Sequence, residues 1–194
     1  STVREFSDGT IAPHIVGITG PLYREDMESL REQGLWWSEE NQQGYRGSDT
    51  IGRSGIEAAY ENVLRGKNGE RRITLNAQHQ VVEVTETVPP TPGNTVVLTL
   101  DRDLQKVTQE ALADQIAILQ QNTTINEGRD ANAGAAVCVD VKTGDILAAA
   151  TYPSYDNSTY YQDYAELSKQ KPEPYLNRAT MGVYRPGSTY KPCV

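Results

Sequence analysis

The chain has 194 residues, of which 18 are Lys or Arg and 26 are Asp or Glu, so its formal net charge is −8. This charge argues against nucleic acid as a partner, because phosphate binding requires basic surface. Hydrophobic residues make up 37% of the chain and charged residues 23%, which is typical of a folded globular protein and excludes a disordered one. No apolar run approaches the roughly 20 residues that a membrane-spanning helix needs.

The sequence contains no pattern typical of a metal or cofactor site. Its two cysteines, Cys138 and Cys193, form no CxxC pair, and its two histidines, His14 and His79, stand far apart. We therefore expect neither a metal nor a cofactor. Two buried free thiols are the favoured interpretation of the cysteines, with a disulfide as the alternative.

The first third of the chain predicts short elements of both kinds. The apolar run 14–18 predicts a strand. The spacing of Met27, Leu30 and Leu35 predicts a short helix that Gly34 interrupts or ends. Neither element contains a residue pattern that indicates catalysis.

A second group of short elements follows a Gly-rich polar loop. Ser54, with Glu57 three residues later, predicts a helix start with a capping box, and this helix should end near Gly66. The loop lacks the Gly-Lys-Ser/Thr of a nucleotide-binding loop. Residues 71–87 alternate between apolar and polar types, which predicts a β-hairpin or two edge strands, with His79 in the solvated turn between them.

Three prolines and a glycine within Pro89–Gly93 form the clearest break in the chain, since this composition cannot continue a helix or a central strand. We expect a domain boundary at 89–94. The run 95–100 then predicts a strand, and apolar positions three and four residues apart predict a long helix over 101–121, with Asp101 as its N-cap.

Two buried antiparallel strands are predicted at 135–141 and 146–150, joined by a tight turn at Lys142–Asp145. Beyond them the chain is rich in tyrosine. Packing of loops onto a surface and the wall of a substrate cleft are both open as explanations. The eight tyrosines concerned are Tyr152, Tyr155, Tyr160, Tyr161, Tyr164, Tyr175, Tyr184 and Tyr190.

A chemical motif stands near the end of the chain, where Pro186-Gly187 precedes Ser188-Thr189-Tyr190-Lys191. On a helix, positions three apart share a face, so the amine of Lys191 can reach the hydroxyl of Ser188. A serine hydroxyl becomes a good nucleophile only when a base accepts its proton, and a partly desolvated lysine is such a base. Backbone N–H groups at the helix start can stabilise an oxyanion.

With this motif in place, the sequence resembles the class B penicillin-binding proteins over nearly its whole length. In the first half the resemblance rests on His14–Gly20, Gly47–Glu57, Tyr60–Glu61 and Leu64–Gly66. In the second half it rests on Leu98–Gln105, Gly134–Ala148, Pro153–Asp156, Asn177–Ala179 and Pro186–Pro192.

The resemblance implies an α+β fold. A β-rich pedestal domain with short helices, of the dimerisation type, would occupy residues 1–88, and a linker would occupy 89–94. The beginning of a penicillin-binding α/β transpeptidase domain, which is serine β-lactamase-like, would occupy 95–194 and end at the helix that carries Ser188.

The resemblance also implies a function, peptidoglycan D,D-transpeptidation in bacterial cell-wall synthesis. Ser188 is similar to the family's nucleophile and Lys191 to its general base. The substrate would be the D-Ala-D-Ala end of a stem peptide, and β-lactams would acylate the same serine. A membrane glycan polymerase is the implied protein partner, and the extracytoplasmic face of the cell membrane the implied location.

The sequence departs from the family pattern in two respects. The family has a Ser-x-Asn triad and a Lys-Thr-Gly strand after the nucleophile, whereas no Ser-x-Asn occurs in this sequence and Lys142-Thr143-Gly144 precedes Ser188. We interpret Lys142–Gly144 as the tight turn between two strands. Since the sequence stops at Val194, we expect it to be an internal piece of a longer protein that is catalytically incompetent alone.

Two other functions remain as alternatives. The chain could act as a binding module in which residues 1–88 contact a membrane glycan polymerase or another cell-wall partner, because those residues contain nothing catalytic. A β-lactamase or β-lactam sensor also carries Ser-x-x-Lys, but it lacks the pedestal motifs. Stable acylation by a labelled β-lactam would indicate a transpeptidase, rapid turnover a lactamase, and no reaction a binding module.

Overall fold

The computed structural model describes residues 4–121 and 128–184. The helices are α1 (Pro13–Val16), α2 (Arg24–Glu32), α3 (Gly55–Ala59), α4 (Glu61–Leu64), α5 (Arg102–Gln121), α6 (Tyr160–Leu167) and α7 (Arg178–Met181). The strands are β1 (Thr19–Pro21), β2 (Thr50–Gly52), β3 (Glu70–Leu75), β4 (Val81–Val88), β5 (Gly134–Val139) and β6 (Ile146–Tyr152). They pair as three antiparallel ladders, β1 with β2, β3 with β4, and β5 with β6. The mixture of helices and strands confirms the α+β class.

The described residues divide into two compact units. One comprises Ile18–Val97, and the other comprises Arg4–Gly17 together with residues 98–184. Residues 4–17, which the sequence places in the first domain, thus lie with the second unit. The domain boundaries at 89–94 stay a prediction.

The first unit is built around α2 and the β1–β2 ladder. Its core contains three buried side chains, Leu22, Leu30 and Tyr45, with further apolar side chains packed against them. The helix predicted around Met27 is confirmed as α2, which ends before Gly34. The hairpin predicted over 71–87 is confirmed as β3 and β4, with exposed His79 in the turn.

The helix predicted after Ser54 is only partly confirmed. Ser54 is the N-cap of α3, but its side chain makes no capping hydrogen bond. Its hydroxyl instead accepts from the N–H of Ile18 at 3.3 Å. The predicted capping box is therefore wrong. The single helix to Gly66 is wrong too, because it divides at Tyr60 into α3 and α4.

The second unit is organised by α5, which packs on the β5–β6 ladder. The predictions of this helix, of its N-cap Asp101 and of two antiparallel strands are confirmed: the Asp101 carboxylate accepts from the N–H of Leu104 at 2.8 Å, and β5 pairs with β6. The predicted burial holds for β6 but is wrong for β5, where Val137 and Val139 are about half exposed. Lys142–Gly144 lies in the turn between the strands, as predicted, with Gly144 at φ 80°. Cys138 in β5 is a free, partly buried thiol, and Cys193 lies outside the described residues.

Two predicted strands are wrong. The run 14–18 begins in the short helix α1, with Pro13 at its first turn and Ala12 in the left-handed region at φ 49°. The run 95–100 forms no strand. It is attached to β6 instead, since the Thr99 hydroxyl donates to the carbonyl of Ile146 at 2.7 Å. In the part of the chain that the structure describes, no helix is long and apolar enough to cross a bilayer.

Candidate active site

The predicted nucleophile and base, Ser188 and Lys191, lie outside the described residues. The structure describes the chain that leads to them as far as Tyr184. This approach segment, residues 173–184, contains the short helix α7 and belongs to the second unit. Its contacts show how the sequence before Ser188 is held.

Asn177 begins α7. Its side-chain oxygen accepts a hydrogen bond from the N–H of Thr180 at 3.3 Å, which is the N-cap arrangement that asparagine favours. Its amide group donates to the carbonyl of His14 at 3.3 Å. One side chain therefore both starts the helix and attaches it to α1.

Arg178 follows and is almost fully buried, with 6% of its surface exposed. Its guanidinium donates to the carbonyl of Glu173 at 2.7 Å and to that of Leu176 at 3.4 Å. These bonds close the turn that precedes α7 while satisfying a charge that would otherwise be costly to bury. The N–H of Ala179 donates to the hydroxyl of Thr151 at 3.3 Å, which attaches α7 to strand β6.

His14 lies beneath the same turn and is 8% exposed. Its Nε2 lies 2.7 Å from the carbonyl oxygen of Pro174, and since a carbonyl only accepts, Nε2 carries the hydrogen. Burial lowers the pKa of His14 below its ordinary value, an effect that the Pro174 carbonyl opposes and the charge of Arg178 reinforces. The neutral ring is therefore the favoured form at neutral pH.

Asn157 provides a further attachment of the N-terminal segment. Its amide group donates to the carbonyl of Gly17 at 3.0 Å and, more weakly, to that of Pro13 at 3.4 Å. Its backbone N–H donates to the carbonyl of Gly9 at 3.0 Å. Since Asn157 is 6% exposed, these are buried polar contacts whose loss is costly.

Tyr190 lies outside the described residues, and of the other seven clustered tyrosines five pack against one another beside His14. Tyr155 meets the His14 ring edge-on at 4.8 Å between centroids, and it contacts Tyr175 at 5.0 Å. Tyr160 lies 4.8 Å from Tyr175. Burial raises the pKa of Tyr155 to about 12, so its hydroxyl stays protonated. These contacts favour the packing explanation of the cluster over a cleft wall. The remaining members of the packed group are Tyr161 and Tyr164.

The Ser-x-x-Lys motif is recognisable in the sequence, whereas the roles of His14, Asn157 and Asn177 become visible only in the structure. Two of these residues lie in segments that carry the family resemblance, His14–Gly20 and Asn177–Ala179, and that is the signal that could have revealed them. Between residues 4 and 184, outside the gap at 122–127, no cluster of three or more His, Cys, Asp or Glu side chains could hold a metal ion.

Comparison with known proteins identifies two families along the chain. Residues 1–98 match the penicillin-binding protein dimerisation domain, and residues 134–194 match the penicillin-binding protein transpeptidase domain. The chain is 32% identical over 194 residues to the peptidoglycan D,D-transpeptidase MrdA of Salmonella typhimurium strain SL1344. That alignment covers 97% of this chain and 27% of the relative, so the chain spans about a quarter of the relative's length.

Solved structures agree with this assignment. A chain of a peptidoglycan synthase complex that coordinates polymerization and crosslinking is similar with a TM-score of 0.65 and 29% identity, over 88% of this chain and 28% of that chain. A chain of the complex between penicillin-binding protein PBP2 and MreC from Helicobacter pylori is similar with a TM-score of 0.62 and 28% identity, over 94% and 30%. The protein therefore belongs to the class B penicillin-binding proteins, and its sequence joins a dimerisation domain to transpeptidase-domain sequence.

Proposed function

We propose that this protein acts as a serine-type peptidoglycan D,D-transpeptidase, with Ser188 as nucleophile and Lys191 as general base. The observation that carries the proposal is the transpeptidase-domain match over residues 134–194, which includes both residues at the spacing of the Ser-x-x-Lys motif. The relatives named as D,D-transpeptidases support the same reaction.

The proposed reaction proceeds in two steps. The Ser188 hydroxyl attacks the carbonyl carbon of the penultimate D-Ala of a stem peptide while Lys191 accepts its proton. The peptide bond to the last D-Ala then breaks, and the departing amine takes up that proton. An amine of a neighbouring stem attacks the acyl ester, which forms the cross-link and returns the Ser188 hydroxyl. A β-lactam would acylate Ser188 in the same way, by opening of its ring amide.

The contacts around α7 support the proposal, because they fix the approach segment that leads to Ser188. Nucleophilic catalysis needs the reacting group held within a narrow range of positions. The approach segment is attached to α1 through Asn177, to β6 through Ala179, and to itself through Arg178. Helix α7 itself ends at Met181, seven positions before Ser188.

Labelling with a fluorescent penicillin tests this proposal in the complete gene product. Lys191→Ala should slow labelling by orders of magnitude, because it removes the proposed base, and should leave the unfolding temperature nearly unchanged. Lys142→Ala, in the Lys-Thr-Gly turn, is the matched control and should label at the unsubstituted rate. Equal labelling of all three proteins would refute the role of Lys191.

We further propose that the pedestal binds a membrane glycan polymerase at the extracytoplasmic face of the cell membrane. The supporting observation is the hairpin of β3 and β4, where Ile73 and Val84 are cross-strand neighbours, each about half exposed. Val82 beside them is 64% exposed. Apolar side chains grouped on an exposed surface are typical of protein interfaces.

A pair of substitutions in one strand tests this binding proposal. Ile73→Lys places a charge among the exposed apolar residues and should abolish co-purification with the polymerase. Thr74→Lys, which lies opposite Glu83 in the ladder, is the matched control and should retain it. Retention by both variants would exclude the hairpin as the binding surface.

A further inference from the structure

The N-terminal segment, residues 4–17, is attached to distant parts of the second unit at several points. Gln109 of α5 accepts from the N–H of Ala12 at 2.9 Å and donates to the carbonyl of Thr10 at 2.9 Å. Asn157 binds the carbonyl of Gly17. The segment is therefore fixed on α5 and on the loop after β6 independently of its contacts with the approach segment.

His14 uses this fixed position to hold the chain before α7. Pro174 is among the most completely buried residues described, so its carbonyl depends on a protein donor, and the Nε2–H of His14 supplies one at 2.7 Å. The ring is also confined by its edge-on contact with Tyr155. Because the segment that carries His14 is fixed and its ring is confined, the Nε2–H group restricts the position of Pro174.

Asn177 provides the second attachment, three residues further along. Its amide group donates to the backbone carbonyl of His14, while its oxygen caps α7. Residue 14 therefore binds the approach segment through its side chain at Pro174 and through its backbone at Asn177. Two bonds from one residue fix both the position and the direction of the chain that enters α7.

We propose that His14 and Asn177 are positioning residues for the nucleophile, holding the approach segment so that Ser188 is acylated at its full rate. This inference rests on the proposed function, since it assigns a rate to the Ser188 reaction. Neither residue contacts the substrate in the proposal. They act through Pro174 and α7, by limiting the conformations of the chain that carries Ser188.

Substitutions of His14 in the complete gene product distinguish the contribution of its hydrogen bond to Pro174 from that of its ring packing against Tyr155. His14→Phe keeps an aromatic ring against Tyr155 but removes the donor to Pro174. His14→Gln restores a donor without the ring. His79→Asn is the matched control, because His79 is the other histidine, lies exposed in the hairpin turn, and has a positive φ that asparagine tolerates.

Two measurements are made on each protein. Hydrogen exchange of the amides in 175–184 reports directly on the approach segment. Acylation by a fluorescent penicillin, followed by stopped flow over a range of concentrations, separates the rate at saturation from the concentration that gives half of that rate. For His14→Phe we expect about tenfold faster exchange of these amides and about tenfold slower acylation at saturation, because one hydrogen bond is lost. The half-saturating concentration of penicillin should be unchanged. His14→Gln should recover most of both losses, and His79→Asn should match the unsubstituted protein.

Asn177→Asp provides the second test should His14→Phe fail to fold. Aspartate retains the oxygen that caps α7 but lacks the amide that binds the His14 carbonyl, so saturated acylation should again slow about tenfold. Unchanged acylation in a folded His14→Phe or Asn177→Asp protein would overturn the positioning role while leaving the proposed function intact. A His14→Gln protein as slow as His14→Phe would also overturn it. Absence of a Ser188 adduct in the unsubstituted protein would overturn the proposed function and, with it, this inference.

Discussion

The side-chain amide of Gln105 pairs with both backbone groups of Ala149. The N–H of Ala149 donates to Oε1 at 2.7 Å, and Nε2 donates back to the carbonyl of Ala149 at 3.0 Å. Gln105 is 1% exposed and lies in α5, so a helix side chain satisfies the hydrogen bonds of a strand residue in β6. This contact attaches the helix to the strand at a defined register.

Replacing Gln105 should therefore destabilise the second unit. Gln105→Met keeps the length of the side chain but leaves the N–H and the carbonyl of Ala149 without these partners, which should cost about 2 kcal/mol of unfolding free energy. Urea unfolding of the complete gene product measures this loss. Gln121→Met, at an exposed position of the same helix, is the control and should change stability by less than about 0.5 kcal/mol. An equal loss of unfolding free energy in both variants would show that the hydrogen bonds between Gln105 and Ala149 do not stabilise the second unit.

Elements whose local signals agree were predictable from the sequence. Helix α5 has a continuous apolar repeat and an N-cap aspartate, and both were confirmed. The β3–β4 and β5–β6 ladders were predictable because turn residues separate two runs of strand type.

The wrong predictions have a common cause, which is that contacts between residues far apart in the sequence decide the local structure. A short apolar run such as 14–18 fits a helix or a strand equally well, and here buried contacts with Asn157 and Pro174 decide. Ser54 lost its capping role because its hydroxyl bonds to Ile18, 36 positions away. The attachment of the approach segment to His14 was unpredictable for the same reason, since it joins residues about 160 positions apart.

A side chain at Gly52 should destabilise the fold. A Cβ at this position of β2 would lie against the backbone carbonyl of Glu57 in α3, and backbone cannot move aside cheaply. Gly52→Ala should therefore lower the unfolding free energy by about 1–3 kcal/mol. Gly47→Ala is the control, since nothing lies within 4 Å of a Cβ there. Thermal unfolding of the two variants distinguishes them, and equal stability would show that β2 and α3 can separate without cost.

The ion pair between Asp26 and Arg53 should make the first unit sensitive to acid. The two hydrogen bonds that Arg53 donates, at 3.0 and 2.7 Å, lower the pKa of Asp26 below its ordinary value. A carboxyl group with a lowered pKa in the folded state stabilises the fold above its unfolded pKa, and this stabilisation is lost as the pH falls through the folded value. Stability should therefore decrease as the pH falls from about 5 towards 2.

Asp26→Asn removes this titration and should flatten the decrease, which urea midpoints measured between pH 7 and pH 2 would reveal. Glu28→Gln removes the neighbouring pair with Arg24, whose side chains are 56% and 90% exposed, and should leave the pH dependence nearly unchanged. If Glu28→Gln flattened the curve as much as Asp26→Asn, the acid sensitivity would not arise from the Arg53 pair.

The position of the acyl group on the protein tests the central claim most directly. The complete gene product is incubated with benzylpenicillin, digested, and examined by mass spectrometry, beside a Ser188→Ala variant. We predict one penicilloyl adduct per molecule on Ser188, and no adduct in Ser188→Ala, because Ser188 stands in the Ser-x-x-Lys motif that follows Pro186-Gly187. Ser168 also precedes a lysine by three residues, but it lies at the C-terminal end of α6 and not after a Pro-Gly pair, so it should carry no adduct. An adduct on a different residue, or one that persists in Ser188→Ala, would contradict the assignment of the nucleophile.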